Sequence, residues 1–327
     1  MGSSVLVLTY IMRRDIPDCH LDMMAYHRAE ILLPPSQLDE LRTKRNIVRA
    51  RIKRRLAAMD YYQPIGFRGQ GSVAMGTIIR EQWYSSYDID DGIYFSDYAL
   101  SGPRGGMTSA REARAFVFAA AHDNRYTYSP EMRRHCIRVY YSQGFHIDIP
   151  VYRKTYGPRG VRIDLASTDW RPSDPLAVTR WFKAAAAMSH GFYANRQLTR
   201  IVRLVKAWTA SRSNWPGRML SGFGVTKLVV DHYRQHRGRD DRALYDTLAA
   251  IYDALERSTQ IWHPVIRGET ICGPGNDAPA RFFRDNLGFY LERLKNIRRA
   301  RTRADALRYW DSFFNCDFFV ARRIQLI

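Results

Sequence analysis

The chain has 327 residues, with 51 Lys or Arg against 32 Asp or Glu, a formal net charge of +19 at pH 7. Hydrophobic residues make up 46% and aromatics 13%, enough to bury a sizeable core, so wholesale disorder is excluded and the length allows two domains or one globule with two lobes. Only seven of the basic residues are lysine; arginine forks match phosphate oxygens bidentately, so the charge points to a phosphate-rich partner (nucleotide, nucleic acid or anionic membrane), against the plainer reading of biased codon usage and a solvated basic surface.

Other classes are removed by what is missing. Cys19, Cys136, Cys272 and Cys316 lie far apart, with no CxxC pair and no Cys/His cluster at zinc spacing. This argues against a zinc site or a disulfide framework and suits a reducing cytoplasm. No run of about 18 apolar residues occurs, so no membrane span is expected. Val5 to Met12 is apolar but short, and Arg13-Arg14 follow it rather than precede it. That is the wrong polarity for a signal peptide, and residues 1–35 are expected to form a leader or a short strand.

After Pro34-Pro35, Ser36 is placed to cap a long helix over 36–59. Leu38, Leu41, Ile47, Val48, Ile52 and Leu56 fall near helical spacing, and arginines and lysines crowd the other faces. Next, Phe67-Arg68-Gly69-Gln70-Gly71-Ser72 is a Gly-rich turn leading into a short helix over 73–79. Tyr87 to Phe95 alternates as a strand, with a bend expected at Gly92, and 109–121 reads as a helix. Cys136 to Tyr141, a turn at Gln143-Gly144, and Phe145 to Tyr152 read as a two-stranded hairpin. Beyond about residue 169, the segments 175–189, 195–212, 222–236, 241–257, 278–297 and 302–315 carry helical periodicity. The expectation is an α+β fold: a mixed-sheet core with its spine helix over 36–168, a helical lobe over 169–327, and a ligand cleft between them.

The chemistry is carried by three acids around a Gly-Ser turn. Asp88 and Asp90 are i and i+2 on a strand, so their side chains share one face. Two crowded carboxylates repel unless a cation lies between them, and hard oxygen donors at this spacing favour Mg²⁺. Asp91 points to the opposite face and reads as structural. Asp148, between Ile147 and Ile149, is an acid in an apolar strand, costly unless paired. Ser72, preceded by Gly71, lies sixteen residues before Asp88, and the two open a helix whose first amides suit an anion. Together these describe a two-metal phosphoryl-transfer site. The stretch Gly71 to Thr77 is not a P-loop, because no lysine follows Gly76.

GSVAMGT, YDIDDGIYF and FHIDIPVY resemble the nucleotidyltransferase signature of the polymerase-β superfamily. More narrowly, the chain is similar to the bacterial cyclic-GMP-AMP-synthase/DncV-like nucleotidyltransferases of anti-phage (CBASS) signalling. WRPSDPLAVTRWF, RLVKAW and LSGFGVT resemble that family's entry to the helical lobe, its lysine helix and its Ser-Gly helix start. The resemblance covers about residues 38–315. It implies that Asp88, Asp90 and Asp148 carry two Mg²⁺ ions (Mn²⁺ substituting), that Gly71 and Ser72 hold the donor triphosphate, and that Lys206 and Ser221 contact its phosphates. It also implies ATP and GTP (or other nucleoside triphosphates) as substrates, cyclic GMP-AMP as product with cyclic di-AMP or a trinucleotide as alternatives, and a downstream cyclic-nucleotide-sensing effector. Lys206 borders the apolar stripe Leu198, Ile201, Val202, Val205, where a lysine needs an anion or a snorkelling route. Ser221 is placed as an N-cap. The scattered cysteines cannot build a zinc thumb, so direct activation by DNA is not expected. Two rivals stand beside this reading: a template-independent RNA or tRNA-end transferase on the same core, and a non-enzymatic basic nucleic-acid-binding module.

Overall fold

The computed structural model describes residues 17–80, 88–101, 106–122, 129–142, 144–158, 160–189 and 196–324. It begins with α1 (His20–Tyr26), continued by a π-helical turn at His27–Ile31. Within 1–35, then, the described part is helical rather than a leader or strand. Cys19, Met23 and Tyr26 recur at helical spacing and are fully buried. Asp22 on the same turn is also buried, and its charge is met by Arg303 at 2.6 Å and Arg322 at 2.9 Å. The expected strand at 5–12 lies outside the described residues.

The spine helix is α2 (Pro35–Ala58), and it starts on Pro35 itself, so Ser36 does not cap it. Proline at the first helical position has the right φ already and lacks only an N–H that would go unpaired there. Then follow β1 (Gly66–Gln70), α3 (Gly71–Met75), β2 (Asp88–Ser96), α4 (Ala110–Ala121), β3 (Glu131–Met132), β4 (Ile137–Tyr140), β5 (His146–Ile149), β6 (Val151–Gly157), β7 (Gly160–Ala166) and β8 (Trp170–Pro172). Helix α3 is shorter than the expected 73–79, because Gly76 takes the left-handed conformation (φ 70°) and ends it. Helix α4 starts on a reciprocal Ser109–Glu112 capping box. Gln143 of the expected hairpin turn lies outside the described residues. Strands β1, β3, β7 and β8 add to those expected, and Phe67 to Gln70, read above as part of a turn, lies in β1.

The main sheet is mixed. Strand β2 pairs antiparallel with β1 on one edge and parallel with β5 and β6 on the other. The offset is the same for both parallel partners (Asp88 to His146, Ile93 to Val151). Strands β5 and β6 are therefore one strand, interrupted at Pro150, which has no N–H for the ladder. Beyond it, β4 and β7 pair antiparallel with β5 and β6. Helices α2 and α4 close one face, and their apolar residues form a core with Ile89, Ile93, Phe95, Ile147 and Ile149.

The rest is α5 (Pro175–Met188), α6 (Gln197–Ala210), α7 (Gly222–His232), α8 (Asp240–Arg257), a short hairpin of β9 (Ile261–Trp262) and β10 (Thr270–Cys272), α9 (Ala278–Leu294), α10 (Arg303–Phe314) and α11 (Phe318–Ile324). These helices share a second core with α1. At its centre Trp208 is fully buried, stacked on Phe313 at 5.3 Å and edge-on to Phe283 at 5.4 Å. Met75 at the end of α3 belongs to this second core, so α3 bridges the sheet and the helical half. No helix among the described residues is long and apolar enough to cross a membrane.

Candidate active-site cleft

Side-chain alternation on β2 sorts three neighbouring acids. Asp91 points into the α2 side, is buried, and receives both Arg49 donors, Nε at 2.6 Å from Oδ2. It is structural, as the alternation requires. Asp88 and Asp90 point the other way.

Register then assembles a row. Gln70 on β1 pairs with Asp90 on β2, Asp90 with Asp148 on β5, and Asp148 with Arg138 on β4. Residues in register on adjacent strands share a face, so these four polar side chains cross the sheet side by side. In the next row Asp88 pairs with His146, whose Nε2 lies 2.6 Å from Asp88 Oδ1. Arg138 takes both oxygens of Asp148, Nε to Oδ1 and Nη2 to Oδ2, each at 2.7 Å. Gln70 Nε2 donates to the Tyr152 hydroxyl at 2.9 Å, and Tyr152 stacks on Tyr94 at 4.7 Å.

The cleft above this face is a cavity of about 560 Å³. The sheet side contributes Gly71, Ser72, Asp88 and Asp90, and the helical side contributes Lys206, Gly222 and Phe223. Gly71 has φ 64°, and a Cβ there would come within 1.9 Å of Asp90 Oδ2. Only glycine lets the start of α3 lie against that carboxylate. Lys206 Nζ donates to the Thr77 carbonyl at 3.2 Å, and a Cβ on Gly222 would sit 3.0 Å from Lys206 Cε. The lysine therefore lies against the first residue of α7. Ser221 is the N-cap of α7, its Oγ accepting from the Gly224 amide at 3.2 Å. Its neighbours Gly222 and Phe223, not Ser221 itself, line the cavity.

Burial pushes the Asp90 carboxyl up to about 7, and the nearby Asp148 and Asp88 carboxylates push in the same direction. An acid raised by desolvation and by two like charges is stabilised in its ionised form by a cation beside it. Asp88 and Asp90 supply hard oxygen donors open to the cleft, the donor type that Mg²⁺ takes. The set fits such an ion. As it stands Asp148 is shared with Arg138, and no three His, Cys, Asp or Glu side chains among the described residues are gathered at metal-holding distance.

Asp88, Asp90, Gly71, Ser72 and Lys206 thus meet in one cavity, with Asp148 in register beside Asp90 and Ser221 one residue outside. Sequence reasoning missed Arg138, His146, Gln70 and Tyr152. His146 was readable, since it stands two residues before Asp148 on the same strand face. Arg138 needed the hairpin register, and Gln70 the pairing of β1 with β2, neither of which periodicity gives.

Residues 65–152 match the family described as cyclic GMP-AMP synthase DncV-like, nucleotidyltransferase domain. A cyclic GMP-AMP synthase of Escherichia albertii is 26% identical over 212 residues, which are 63% of this chain and 45% of that protein. The chain thus matches less than half of that relative's length. Vibrio cholerae DncV, crystallised with nonhydrolyzable GTP, superposes with a TM-score of 0.72 at 16% identity over 91% of this chain and 96% of that one. Escherichia coli DncV in a 3'-deoxy GTP bound form gives 0.69 at 20% identity over 90% and 95%. At these identities the structures establish the fold, and the sequence matches carry the relationship. Residues 65–152 thus match the DncV-like nucleotidyltransferase domain, and the chain as a whole has the α+β fold of the solved DncV structures.

Proposed function

We propose that the chain is a cyclic dinucleotide synthase that joins ATP and GTP into cyclic GMP-AMP with release of pyrophosphate. The observation that carries this reading is the in-register placement of Asp90 beside Asp148, with Asp88 one pleat away, under a cleft that Lys206 enters from the opposite side. In each of two steps a ribose hydroxyl of one nucleotide attacks the α-phosphorus of the other. The new P–O bond replaces the bond to pyrophosphate, and the hydroxyl proton leaves to a base. Linear intermediate 5' pppA(3',5')pG bound to Vibrio cholerae DncV supports sequential bond formation in one site.

Asp88, Asp90 and Asp148 would hold two divalent cations. Such ions lower the pKa of the attacking hydroxyl and neutralise charge on the leaving pyrophosphate. Gly71 and Ser72 hold the donor triphosphate through the amides at the start of α3, with Lys206 and the Ser221-capped start of α7 contacting its phosphates from the facing lobe. Asp148, in register beside Asp90, would orient or deprotonate the hydroxyl once released from its Arg138 partner. Catalysis is then mostly positioning and charge neutralisation, with no covalent nucleophile. The two hydrophobic cores support a catalytic core over 36–168 and a helical lobe over 169–327. The cellular role proposed is CBASS anti-phage signalling in the cytoplasm, through an effector that senses the product.

The test is product identity. Radiolabelled ATP and GTP are incubated with the protein and Mg²⁺ or Mn²⁺, treated with phosphatase, and resistant species are identified by mass spectrometry. Cyclic GMP-AMP is the expected product. Elongation of added RNA without any cyclic species would replace this reading with the template-independent transferase.

A further inference from the structure

At the C-terminal end of α3, around Met75 and Gly76, lies a second cavity of about 750 Å³. It is walled by α5, α6 and the segment around His27, and among the described residues shares only Met75 with the cleft. Among the described residues, five cationic side chains line it (Arg28, Lys183, Arg196, Arg200 and Arg203), and no carboxylate does. Arg200 is accounted for, because its Nη2 donates to the buried Asp240 at 2.9 Å. Gln197 Nε2 holds the same carboxylate oxygen at 2.8 Å, so Asp240 has little left to offer the others.

Arg203 is in a different position. Among the described residues its Nε is buried with no hydrogen-bond partner, and its Nη1 reaches only the His27 ring nitrogen at 3.5 Å. No ion pair joins Arg28, Lys183, Arg196 or Arg203 to an acid among the described residues. Burial, together with Arg196 and Arg200, holds the Arg203 guanidinium down near 10. A half-buried guanidinium packed among like charges, with an orphaned donor, is costly unless an anion is brought to it. Arginine forks suit tetrahedral oxyanions, which accept several donors at once.

We propose that this cavity binds a compact phosphate-bearing ligand, in contact with Arg203 and framed by Arg28, Lys183 and Arg196, separately from the nucleotide cleft. This reading goes beyond the synthase assignment and does not depend on it. Helix α6 presents Arg203 to this cavity and Lys206, one turn on, to the cleft. The two sites are therefore neighbours along α6, meeting at Met75.

The probe is inorganic tripolyphosphate, titrated calorimetrically into the full chain in metal-free buffer, with citrate as a carboxylate polyanion for comparison. Two variants disable the cavity, Arg203→Met and Arg28→Gln/Lys183→Gln, the second altering only exposed side chains. Lys206→Met/Ser221→Ala disables the cleft, and Arg298→Gln/Arg299→Gln removes an equal charge elsewhere. The expected result is that one tripolyphosphate binding event weakens at least tenfold in both cavity variants and less than twofold in the other two, with citrate at least tenfold weaker than tripolyphosphate on the wild type. The proposal is overturned if tripolyphosphate does not bind, if all binding is lost in the cleft variant, if the Arg298/Arg299 variant weakens it as much as the cavity variants do, or if citrate binds as tightly.

Discussion

Asp88, Asp90 and Asp91 are nearly adjacent in sequence and end in three environments, because a strand turns alternate side chains to opposite faces. Asp91 is buried against Arg49, so Arg49→Ala should leave an uncompensated carboxylate in the interior. The expected cost is about 3 kcal/mol, the low end for a broken buried pair since Arg49 is itself partly exposed. Asp88 is the more exposed acid, and Asp88→Asn should cost less than about 1 kcal/mol. Urea unfolding of both variants decides the matter, and equal losses would contradict the division of labour. Lys206 belongs to the same scale. Lys206→Ala should leave the fold intact and raise KM for the nucleotide roughly tenfold or more, as loss of a charge-assisted phosphate contact. Steady-state kinetics with an unchanged KM would remove Lys206 from the phosphate site.

At the level of elements, α3 is five residues long, and its position comes from glycine chemistry at both ends. Gly71 lies against Asp90, and Gly76 stops the helix. Gly71→Ala requires both a positive φ in a residue with a Cβ and displacement of the Asp90 carboxylate. Turnover should fall at least tenfold by disturbed geometry, with a stability loss of about 1–2 kcal/mol. A variant that keeps wild-type turnover would show that α3 does not need to touch Asp90. The acids, the Gly-Ser turn and the six long helices of the second half were legible from alternation, turn residues and helical spacing. The strands β7 and β8 were not, because β8 shows no burial alternation and β7 alternates only at its C-terminal end. Helix α1 was missed because its apolar positions face the distant helical half, and its buried Asp22 looks like a surface residue until Arg303 and Arg322 arrive from the far end of the chain. Ser36 was misread as a cap because Pro35 starts the helix without one.

On the scale of the whole molecule, the net charge of +19 first suggested a phosphate-bearing partner. The structure distributes that charge among buried pairs such as Arg49–Asp91, Arg138–Asp148 and Arg200–Asp240, the surface, and the second cavity. His27 sits where α1 meets α6, almost fully buried, and burial followed by the Arg203 and Arg200 charges lowers it to about 3. The native state therefore keeps the ring neutral, while the unfolded chain binds a proton below about 6.5. Its contribution to stability is complete above about pH 6.5 and is lost as pH falls toward 3, with a slope approaching about 1.4 kcal/mol per pH unit. The difference in unfolding free energy between wild type and His27→Gln should narrow by that slope between about pH 6 and 4.5. A pH-independent difference would mean that His27 is charged in the native protein. The helical core gives an independent check. Trp208→Ala should cost about 3–5 kcal/mol by opening a cavity among Trp215, Phe283 and Phe313.

The central claim is that the Asp88–Asp90 pair beside Asp148 makes the cleft a phosphodiester-forming site. It is tested most directly by the rate of pyrophosphate release from ATP plus GTP with Mg²⁺, compared between wild type and Asp88→Asn/Asp90→Asn, each checked for an unchanged Tm within a few degrees. The account predicts a robust rate in the wild type and a loss of at least about 100-fold in the variant. Equal pyrophosphate release from the two proteins would contradict it.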